Sequence, residues 1–501
     1  MFFALSRRRA AVAASLSLTL TLVAAPVRAQ LPQLGDPNEL SIGDERRIGE
    51  RIARDLYRDP DYIDDPVLVE YVQGIWEALL NASRALGELT PDIDERFAWT
   101  VLLGKDRTVN AFALPGGWLG LNCGLIAVTA NRDELASVLA HELSHVTQRH
   151  IARKVTQQSQ QTPLMLAALL LGIMAGTRNP QAAGAIITGS QGLAMQQQLA
   201  YSRDMEREAD RIGYAVMTKA GFRPQGFVTM FDKLEQASRL NDDGAYPYLR
   251  THPMTTERMA DMQARQQLLP HTPIPATLRY AMIAARARVI SNPGVDSLRA
   301  LVAEAQSSNL ASQPRARQAG VLYAGALAAA RLRDAAATRQ LLAALEQVAA
   351  GDAPAQRLAG LLAAEIAAGQ QDWPRVLQLV DATSQQRPEL LLVSEAQVHT
   401  GHAADAAERL RTWVAGHPRD ATAWQLLASA WRADGQPLRG LRAEGEAHAA
   451  QLDYEGALER FRAGQDLARR GRAGNDYIEA SIIDARARAM QSLVREETLK
   501  R

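Results

Sequence analysis

The sequence predicts two structural parts in series, an α+β domain followed by an all-α solenoid. Between residues 40 and 260 the apolar spacing alternates between that of amphipathic helices and the two-residue period of strands. From about residue 310 to 485 the chain is instead rich in Ala and Leu and repeats with a period near 34 residues. A period of this length is typical of stacked two-helix repeats. The 501 residues allow two to four domains.

The first 29 residues predict a secretory signal. Arg7–Arg9 form a basic start, residues 10–25 are uncharged and mainly apolar, and a Val-Arg-Ala sequence that fits a cleavage site ends at Ala29. We therefore expect export, with the signal peptide cleaved near Ala29. An uncleaved membrane anchor is the alternative, although the apolar stretch is short for a span, which needs about 20 residues.

Two helices, a strand and a hairpin are expected next. Residues 40–58 and 66–86 have the apolar spacing of helices, and Phe97–Leu103 alternates large apolar residues as a half-buried strand does. Asn110–Leu114 and Trp118–Asn122 flank a Pro-Gly-Gly sequence, which predicts a β-hairpin.

The most informative segment is His-Glu-Leu-Ser-His at 141–145, on a helix that we expect to begin with Asn131 as N-cap and Glu134 three residues later. Histidines four residues apart lie on one face of a helix, so His141 and His145 can share one metal ion. Glu142 is placed to hydrogen-bond a metal-bound water and to act as the general base. The pattern predicts a site for one Zn²⁺ per chain. The predicted core face of this helix is Leu135, Val138, Leu139 and Val146.

Catalytic zinc usually has three protein ligands, so a third ligand is expected elsewhere in the chain. His150 lies one residue short of the position at which a third histidine follows this motif in metzincins. It should point off the ligand face, with a surface or hydrogen-bonding role. Glu206 is the better candidate, 61 residues after His145, and Asp210 on the same face would accept a hydrogen bond from a ligand histidine. The alternative is an ordinary charged helix face, since Glu208 and several arginines are adjacent. This helix should end near Gly221, and another should run from about 224 to 240.

The strands beside the active-site helix suggest how a peptide could bind. An extended chain can add to an exposed strand edge through backbone hydrogen bonds. Either strand of the predicted hairpin is a candidate for this role, represented by Asn110 and Ala111 on the first strand and by Trp118 and Leu119 on the second.

Two apolar stretches at 164–175 and 182–195 separate the zinc motifs. The first has only twelve residues and is too short for a membrane span. A helical hairpin packed on the α+β domain is one interpretation. The other interpretation is a lid or a docking surface for a membrane-embedded partner. It implies peripheral membrane contact through 164–195.

The second half carries the landmark positions of tetratricopeptide (TPR) repeats. The clearest unit has Trp424 and Trp431 seven residues apart and Gly435 at the end of its first helix, and Gly401 stands 34 residues before Gly435. Trp373 with Pro388, and Tyr454 with Phe461, mark more degenerate units. The alternative is a non-repetitive helical bundle. We expect a linker near 269–275 and a bridging helix at about 277–291.

The amino-acid composition argues against a nucleic acid partner and against an internal disulfide. The formal charge is +1 and no basic block is present, so we expect no nucleic acid partner. The single Cys123 excludes an internal disulfide, and its position between leucines predicts a buried thiol.

Three segments together resemble a known family: Asn110–Gly117, the motif at 141–145, and Ser202–Asp210. They are similar to the zinc metallopeptidases of the CAAX-prenyl endopeptidase and HtpX family, and within it to the soluble periplasmic branch with C-terminal TPR repeats. The resemblance implies a zincin-like (gluzincin) α+β fold with a small β-sheet, a periplasmic location, zinc ligands at His141, His145 and Glu206, and the base at Glu142.

The resemblance also implies a regulator and partners. His252, in a Thr-His-Pro segment, would be a fourth zinc ligand that holds the enzyme latent; a turn histidine next to Pro253 is the alternative. The implied substrates are unfolded, stalled or misassembled outer-membrane β-barrel proteins, with the barrel-assembly machinery bound through the TPR domain. A chaperone or assembly scaffold, or a general periplasmic quality-control protease, remain alternatives.

The resulting domain division is a prediction in five parts. It comprises the signal peptide at 1–29, the metallopeptidase domain at 30–268, a linker and bridging helix at 269–309, the TPR domain at 310–485 and a helical tail at 486–501.

Overall fold

The computed structural model describes residues 40–157, 201–239, 245–267, 274–470 and 476–499. The expected signal peptide, the insert at 164–195 and most of the expected linker at 269–275 lie outside the described residues. Within them, an α+β unit is followed by an all-α solenoid, which confirms the predicted fold class. No helix of the described part is long and apolar enough to cross a membrane.

The chain enters the α+β unit through two helices that match the predicted ones closely. These are α1 (Ile42–Tyr57) and α2 (Pro66–Leu86), and a short α3 (Pro91–Arg96) follows. The side chains of Ser41 and Asp65 accept hydrogen bonds from backbone amides in the first turns of α1 and α2. Such caps satisfy amides that have no partner within a helix and so fix where each helix begins.

A mixed four-stranded sheet lies beside these helices. Its strands are β1 (Tyr62–Ile63), β2 (Thr100–Gly104), β3 (Ala111–Leu114) and β4 (Trp118–Asn122). The spatial order is β1-β2-β4-β3, with β2 and β4 parallel and the other two pairs antiparallel. β3 is therefore an edge strand, whereas β4 is paired on both sides.

The hairpin was predicted correctly, and the preceding strand only in part. Gly116 and Gly117 turn the hairpin with φ of +74° and +84°, a region that favours glycine. The strand expected from Phe97 begins only at Thr100, because Trp99 has φ of +50° and interrupts the extended backbone. Ala98 instead donates its amide to the Gly116 carbonyl at 2.8 Å.

The central helix of the unit is α5 (Arg132–Thr147), preceded by α4 (Cys123–Val128) and followed by α6 (His150–Gln157). Asn131 caps α5 as predicted, since its Oδ1 accepts from the amides of Asp133 and Glu134. The predicted core face is buried, but so is every other residue from Asp133 to Thr147. This helix is enclosed on all sides and carries its polar residues into the interior.

Four more helices follow: α7 (Arg203–Lys219), α8 (Gln225–Arg239), the short α9 (Tyr248–Thr251) and α10 (Thr256–Gln267). Of these, α7 and α8 pack on α5, and α10 packs on α8. The predicted stop of α7 is present, because Gly221 has φ of +83°. α7 approaches α5 closely at Gly213, where a Cβ atom would lie 3.0 Å from the His141 amide nitrogen. This close approach sets the acidic face of α7 directly against the two histidines of α5.

The solenoid consists of sequential helices, which from the second one onward each pack on the next, whereas the first packs on the third. In order they are α11 (Leu278–Ser291), α12 (Val295–Ala305), α13 (Arg315–Arg331), α14 (Ala335–Ala349), α15 (Ala353–Gly369), α16 (Trp373–Leu379), α17 (Arg387–His399), α18 (Ala403–Gly416), α19 (Ala421–Ala433), α20 (Pro437–Ala450), α21 (Tyr454–Arg469) and α22 (Tyr477–Leu499). Successive first helices begin at 353, 387, 421 and 454, which matches the predicted period.

The two parts share one hydrophobic core. α11 packs on α2 and α4 of the first unit and also on α13 and α15 of the solenoid. A single cluster of buried side chains extends from Val67 to Ile366. At the far end, α22 runs without interruption through the boundary expected at 485, so that boundary falls inside one helix and is not a structural border.

Candidate metal centre

Four buried side chains from three segments converge beside α5. His141 and His145 come from α5, Glu206 from α7, and His252 from the end of α9. Each offers a ligand atom, and these atoms all lie within 4.8 Å of one another. Individual separations are 3.0 Å between the Nε2 atoms of His141 and His145, 3.3 Å from His141 Nε2 to His252 Nδ1, and 3.0 Å from His252 Nδ1 to Glu206 Oε1.

These spacings fit a single small metal ion. Four ligand atoms in a tetrahedron at zinc distances lie about 3.3 Å apart, and the nitrogen and oxygen atoms of this cluster approach to between 3.0 and 3.6 Å. Three imidazoles and one carboxylate form a donor set that zinc favours. Burial lowers the pKa of His145 well below its usual value, which favours the neutral, metal-binding form.

Asp210 lies where the sequence predicted, one turn after Glu206 on α7. Its Oδ1 is 3.0 Å from His141 Nδ1, the ring nitrogen that faces away from the cluster. Arg258, which the sequence analysis did not identify, holds the same carboxylate through two contacts of 2.7 and 2.8 Å. Its Nη1 also lies 2.6 Å from Glu206 Oε2 and donates to the Pro253 carbonyl at 3.0 Å.

Charge balance accounts for this buried arginine. Glu206 and Asp210 place two carboxylates in the interior. Burial by itself would raise the pKa of Glu206, but the charges of His252 and Arg258 outweigh it and lower the pKa. The sequence contains a signal for this, because two acidic residues on one buried helix face require a cation and Arg258 follows His252 by six residues.

His150 is buried and directed toward His145. As expected, His150 does not lie on the metal-binding face of α5. Because it is buried, a role at the protein surface is excluded. α5 ends at Thr147, and Arg149 has φ of +51°, so the chain turns and α6 begins with His150 beneath the cluster. The Nδ1 atoms of His150 and His145 lie 2.9 Å apart, and His150 Nε2 lies 3.0 Å from Glu208 Oε2.

Glu142 is also enclosed, next to the cluster and the edge strand. Its Oε2 accepts a hydrogen bond from the Ala113 amide at 2.9 Å. Its Oε1 has no hydrogen-bond partner among the described residues, and its closest basic atom is His252 Nε2 at 3.4 Å. Burial raises the pKa of Glu142 above its usual range. One carboxylate oxygen is thus fixed by the backbone, and the other is available to a proton donor.

Two tyrosines that the sequence analysis did not identify complete the surroundings. Tyr201 stacks on the His145 ring at 3.8 Å between centroids, and Tyr248 stacks on His252 at 4.4 Å. The Tyr201 amide also donates to the Thr251 carbonyl at 3.2 Å. These rings limit the rotation of the two imidazoles and exclude water from one side of each.

The edge strand β3 is the part of the sheet nearest to this site. Asn122 donates its amide to Asn110, and the pairing of Ala111 with Leu121 turns the backbone groups of Ala111 and Ala113 away from β4. Ala113 uses its amide to hold Glu142, so this outward side faces the cluster.

The assignment of Trp118 and Leu119 as substrate-binding positions is wrong. Both lie on β4, which is hydrogen-bonded to β2 on one side and to β3 on the other. A strand paired on both sides has no edge to offer to a peptide. The first strand of the hairpin, with Asn110 and Ala111, stays as the candidate.

The segment that carries His252 is attached to the same edge. Val109, just before β3, donates its amide to the Ala245 carbonyl at 2.8 Å and accepts from the Tyr248 amide at 3.3 Å. This segment therefore runs beside the start of β3 and places His252 between Glu206 and Glu142. A peptide that extends the sheet along β3 toward the cluster would therefore contact the segment that carries His252.

Comparison with known families agrees with this geometry. Residues 88–266, which include all four clustered side chains, match the family model described as Peptidase family M48. The match begins between α2 and α3 and ends in α10, so it covers three of the four strands, β2 to β4, and the metal centre.

Two bacterial relatives are similar over most of the chain, and a mitochondrial relative is similar over a shorter part. The β-barrel assembly-enhancing protease of Escherichia coli K12 is 30% identical over 430 residues, which are 84% of this chain and 85% of that protein. A putative β-barrel assembly-enhancing protease of Vibrio cholerae is 29% identical over 90% of this chain and 91% of its own. The mitochondrial metalloendopeptidase OMA1 of Saccharomyces cerevisiae is 28% identical over 38% of this chain and 54% of its own.

Proposed function

The chain belongs to peptidase family M48 and is therefore a metallopeptidase, and from this premise we propose that it is a periplasmic zinc endopeptidase, gated by His252, that degrades misassembled outer-membrane β-barrel proteins and aids their assembly. The observation that carries the proposal is the convergence of His141, His145 and Glu206 beside a carboxylate, Glu142, with one oxygen still available.

In this proposal three residues hold zinc and a fourth moves protons. His141, His145 and Glu206 are the permanent ligands. Bound zinc supplies a Lewis acid that polarises the scissile carbonyl and makes a water acidic near neutral pH. Glu142 takes the proton of the attacking water at Oε1 and returns it to the leaving amine. The hydrogen bond from Ala113 to Oε2 keeps Oε1 directed at the reacting atoms.

His252 explains how such an enzyme stays latent. In the observed conformation its Nδ1 belongs to the ligand cluster and its Nε2 is 3.4 Å from Glu142 Oε1. Four protein ligands leave no position for an activated water, which is the arrangement of structural zinc sites. The same ring also lies against the base. Moving His252 away would therefore open a zinc position and release Glu142 together.

The substrates and location are proposed from the relatives and the sequence. Both whole-chain relatives are named for β-barrel assembly, and the N-terminal sequence has the features of a cleaved signal peptide. We extend the proposal to the solenoid, which we interpret as TPR repeats that bind the barrel-assembly machinery. A cavity of about 630 Å³ among α18, α19, α20 and α22, lined by Trp424, Trp431 and Arg439, is the candidate contact surface.

The first experiment compares cleavage of an unfolded protein by zinc-loaded wild type, Glu142→Gln and His252→Ala. We expect little cleavage by wild type, faster cleavage by His252→Ala, and none by Glu142→Gln although its zinc content equals that of wild type. Mass spectrometry of the fragments distinguishes endoproteolysis from a contaminating exopeptidase. If all three proteins retain zinc and none cleaves, the gated protease is rejected and the assembly scaffold is favoured.

A second experiment separates the dedicated enzyme from a general quality-control protease. Arg439→Glu alters the solenoid cavity, far along the chain from the metal centre. In the His252→Ala background, we expect it to weaken binding to the barrel-assembly machinery and to leave cleavage of an unfolded soluble protein unchanged. If partner binding is undiminished, this cavity is not the contact surface.

A further inference from the structure

We infer that His150 and Glu208 are positioning residues for the metal centre, which act through His145 and take no part in ligation themselves. The inference rests on the proposed zinc site and deepens it. It assigns a role to a buried histidine that would otherwise count as part of the core, and to an acidic residue that the sequence places among ordinary surface charges.

The geometry forms a continuous chain from the surface to the cluster. Glu208 Oε2 lies 3.0 Å from His150 Nε2, and His150 Nδ1 lies 2.9 Å from His145 Nδ1. The opposite nitrogen of His145, Nε2, faces the cluster, 3.0 Å from His141 Nε2. The His150 side chain is fully buried, while 29% of the Glu208 side chain remains exposed.

Proton positions in this chain follow from its two ends. A histidine that binds metal through Nε2 carries its hydrogen on Nδ1, so His145 donates to His150 Nδ1. His150 must then carry its own hydrogen on Nε2, which it donates to the carboxylate of Glu208. Every donor has an acceptor in this arrangement. The carboxylate therefore selects the tautomer of His150, and His150 selects the tautomer of His145 that presents a lone pair to the metal.

Each α5 histidine has a carboxylate on the side that faces away from the cluster. His141 Nδ1 faces Asp210 directly at 3.0 Å. His145 reaches a carboxylate through one intervening imidazole, and Tyr201 stacks on its ring at 3.8 Å. A histidine ligand whose outer nitrogen is hydrogen-bonded is held in orientation and is a better donor, and loss of such a partner typically costs 10- to 100-fold in metal affinity.

His150 is not a ligand in its own right. Its closest approach to His145 is at Nδ1, on the side of that ring opposite to the cluster. Its second nitrogen is engaged by Glu208. If His150 only filled space, any residue of similar shape would serve equally well. Substitution can therefore distinguish a positioning role from a space-filling one.

The test measures Zn²⁺ affinity of the full-length protein by competition with a chromophoric chelator. His150→Phe keeps the bulk of the ring and removes both hydrogen bonds, and we expect its dissociation constant to rise by roughly 10- to 100-fold. His150→Asn places an acceptor near the former Nδ1, and we expect it to recover at least half of that loss on a logarithmic scale. The visible absorption of the Co²⁺-substituted protein should shift in His150→Phe and return toward wild type in His150→Asn.

Two further variants distinguish a specific loss of Zn²⁺ binding from misfolding. Glu208→Ala lies partly at the surface and should weaken Zn²⁺ binding several-fold without loss of the fold. Arg153→Met is the matched control, because Arg153 contacts the same Glu208 oxygen at 2.8 Å but is 44% exposed. We expect Arg153→Met to bind Zn²⁺ within about 2-fold of wild type. The circular dichroism of all metal-free variants is compared at the temperature of the titration.

The outcomes separate the inference from the function on which it rests. If wild type binds no Zn²⁺, both the proposed function and the inference are rejected. If wild type binds Zn²⁺ and the folded His150→Phe and Glu208→Ala variants bind it equally well, the positioning role alone is rejected. A His150→Asn variant as weak as His150→Phe, with an unshifted Co²⁺ spectrum in both, would also overturn it.

Discussion

Arg258 grips Asp210 through two parallel contacts, from Nε to Oδ2 at 2.7 Å and from Nη2 to Oδ1 at 2.8 Å. Both side chains are almost fully buried. Two-pronged pairing of this kind is strong and directional. Because Asp210 in turn faces His141, the arginine is linked to a proposed zinc ligand through one carboxylate. Its contact with the Pro253 carbonyl also ties α10 to the residue that follows His252.

Replacing Arg258 should therefore destabilise the protein strongly. Arg258→Met leaves Glu206 and Asp210 as buried carboxylates without their cation, and removing one partner of a buried pair costs about 3–5 kcal/mol. We expect the free energy of unfolding of the metal-free protein, measured in urea, to fall by this amount. The control is Arg265→Met on the same helix, which breaks an i,i+4 pair with Asp261 and a contact over the Tyr214 ring and should cost about 1 kcal/mol or less. Equal losses in the two variants would contradict the structural account.

Acid should lower the stability of the same α+β unit, because Asp210 becomes protonated. Burial alone would raise its pKa, but the charge of Arg258 and the contacts with His141 and Arg258 hold the pKa at about 2. A pKa that is lower in the folded state adds stability at pH values above the unfolded pKa of about 4, and this stability is lost as the pH falls toward 2.

The expected size of this acid effect is about 2 kcal/mol between pH 5 and pH 2. Urea unfolding of metal-free protein across this range should show a shallower pH dependence in Asp210→Asn than in wild type. Asp296→Asn, which removes a fully exposed carboxylate, serves as the control. The same slope in all three proteins would show that Asp210 is not the group responsible.

Several site residues could be predicted because local spacing determines them. His141 and His145 share a helix face by periodicity alone, and the i,i+4 spacing of Glu206 and Asp210 gives the same result on α7. Asn131 marks the start of α5 through a cap that depends on neighbouring residues only. In each case the information lies within one helical turn.

The remaining site residues depend on contacts between distant segments. His150 reaches His145 only because Arg149 adopts a left-handed conformation and turns the chain after α5. Arg258 and Tyr248 come from segments more than 40 residues after α7 begins, and no local pattern specifies their approach. The error at Trp118 and Leu119 has the same origin, since the hairpin is visible in the sequence but the parallel pairing of β4 with β2 is not.

The edge strand gives a prediction about substrate binding. The amide of Ala111 points away from β4, so Ala111→Pro removes an outward donor and keeps the ladder within the sheet. If peptides bind by extending β3, losing one backbone hydrogen bond of about 1–1.5 kcal/mol should lower kcat/KM by roughly tenfold. The measurement uses a fluorogenic peptide in the His252→Ala background. Ala111→Gly, which retains the amide, is the matched control, and a loss equal to that of Ala111→Pro would rule out this binding mode.

The shared core predicts that the peptidase unit and the first solenoid helices unfold together. Arg286 on α11 is the polar centre of this junction: it binds Asp65 of the first unit and Glu365 of the solenoid, and its Nη1 also lies 3.1 Å from the hydroxyl of Tyr323. Only 5% of its side chain is exposed, so Arg286→Met leaves acidic partners from both parts uncompensated and should cost about 3–5 kcal/mol.

Hydrogen exchange can show whether Arg286→Met lowers the stability of the peptidase unit and of the solenoid together. In Arg286→Met we expect the slowest-exchanging amides of α2, α5 and α13 to lose protection by the same amount, because they exchange through unfolding of one cooperative unit. Arg288→Met, on the same helix but 49% exposed and paired only at the surface with Glu304, should leave those amides near wild type. If α13 loses protection while α5 does not, the two parts unfold separately and the boundary predicted from the sequence is also a boundary of stability.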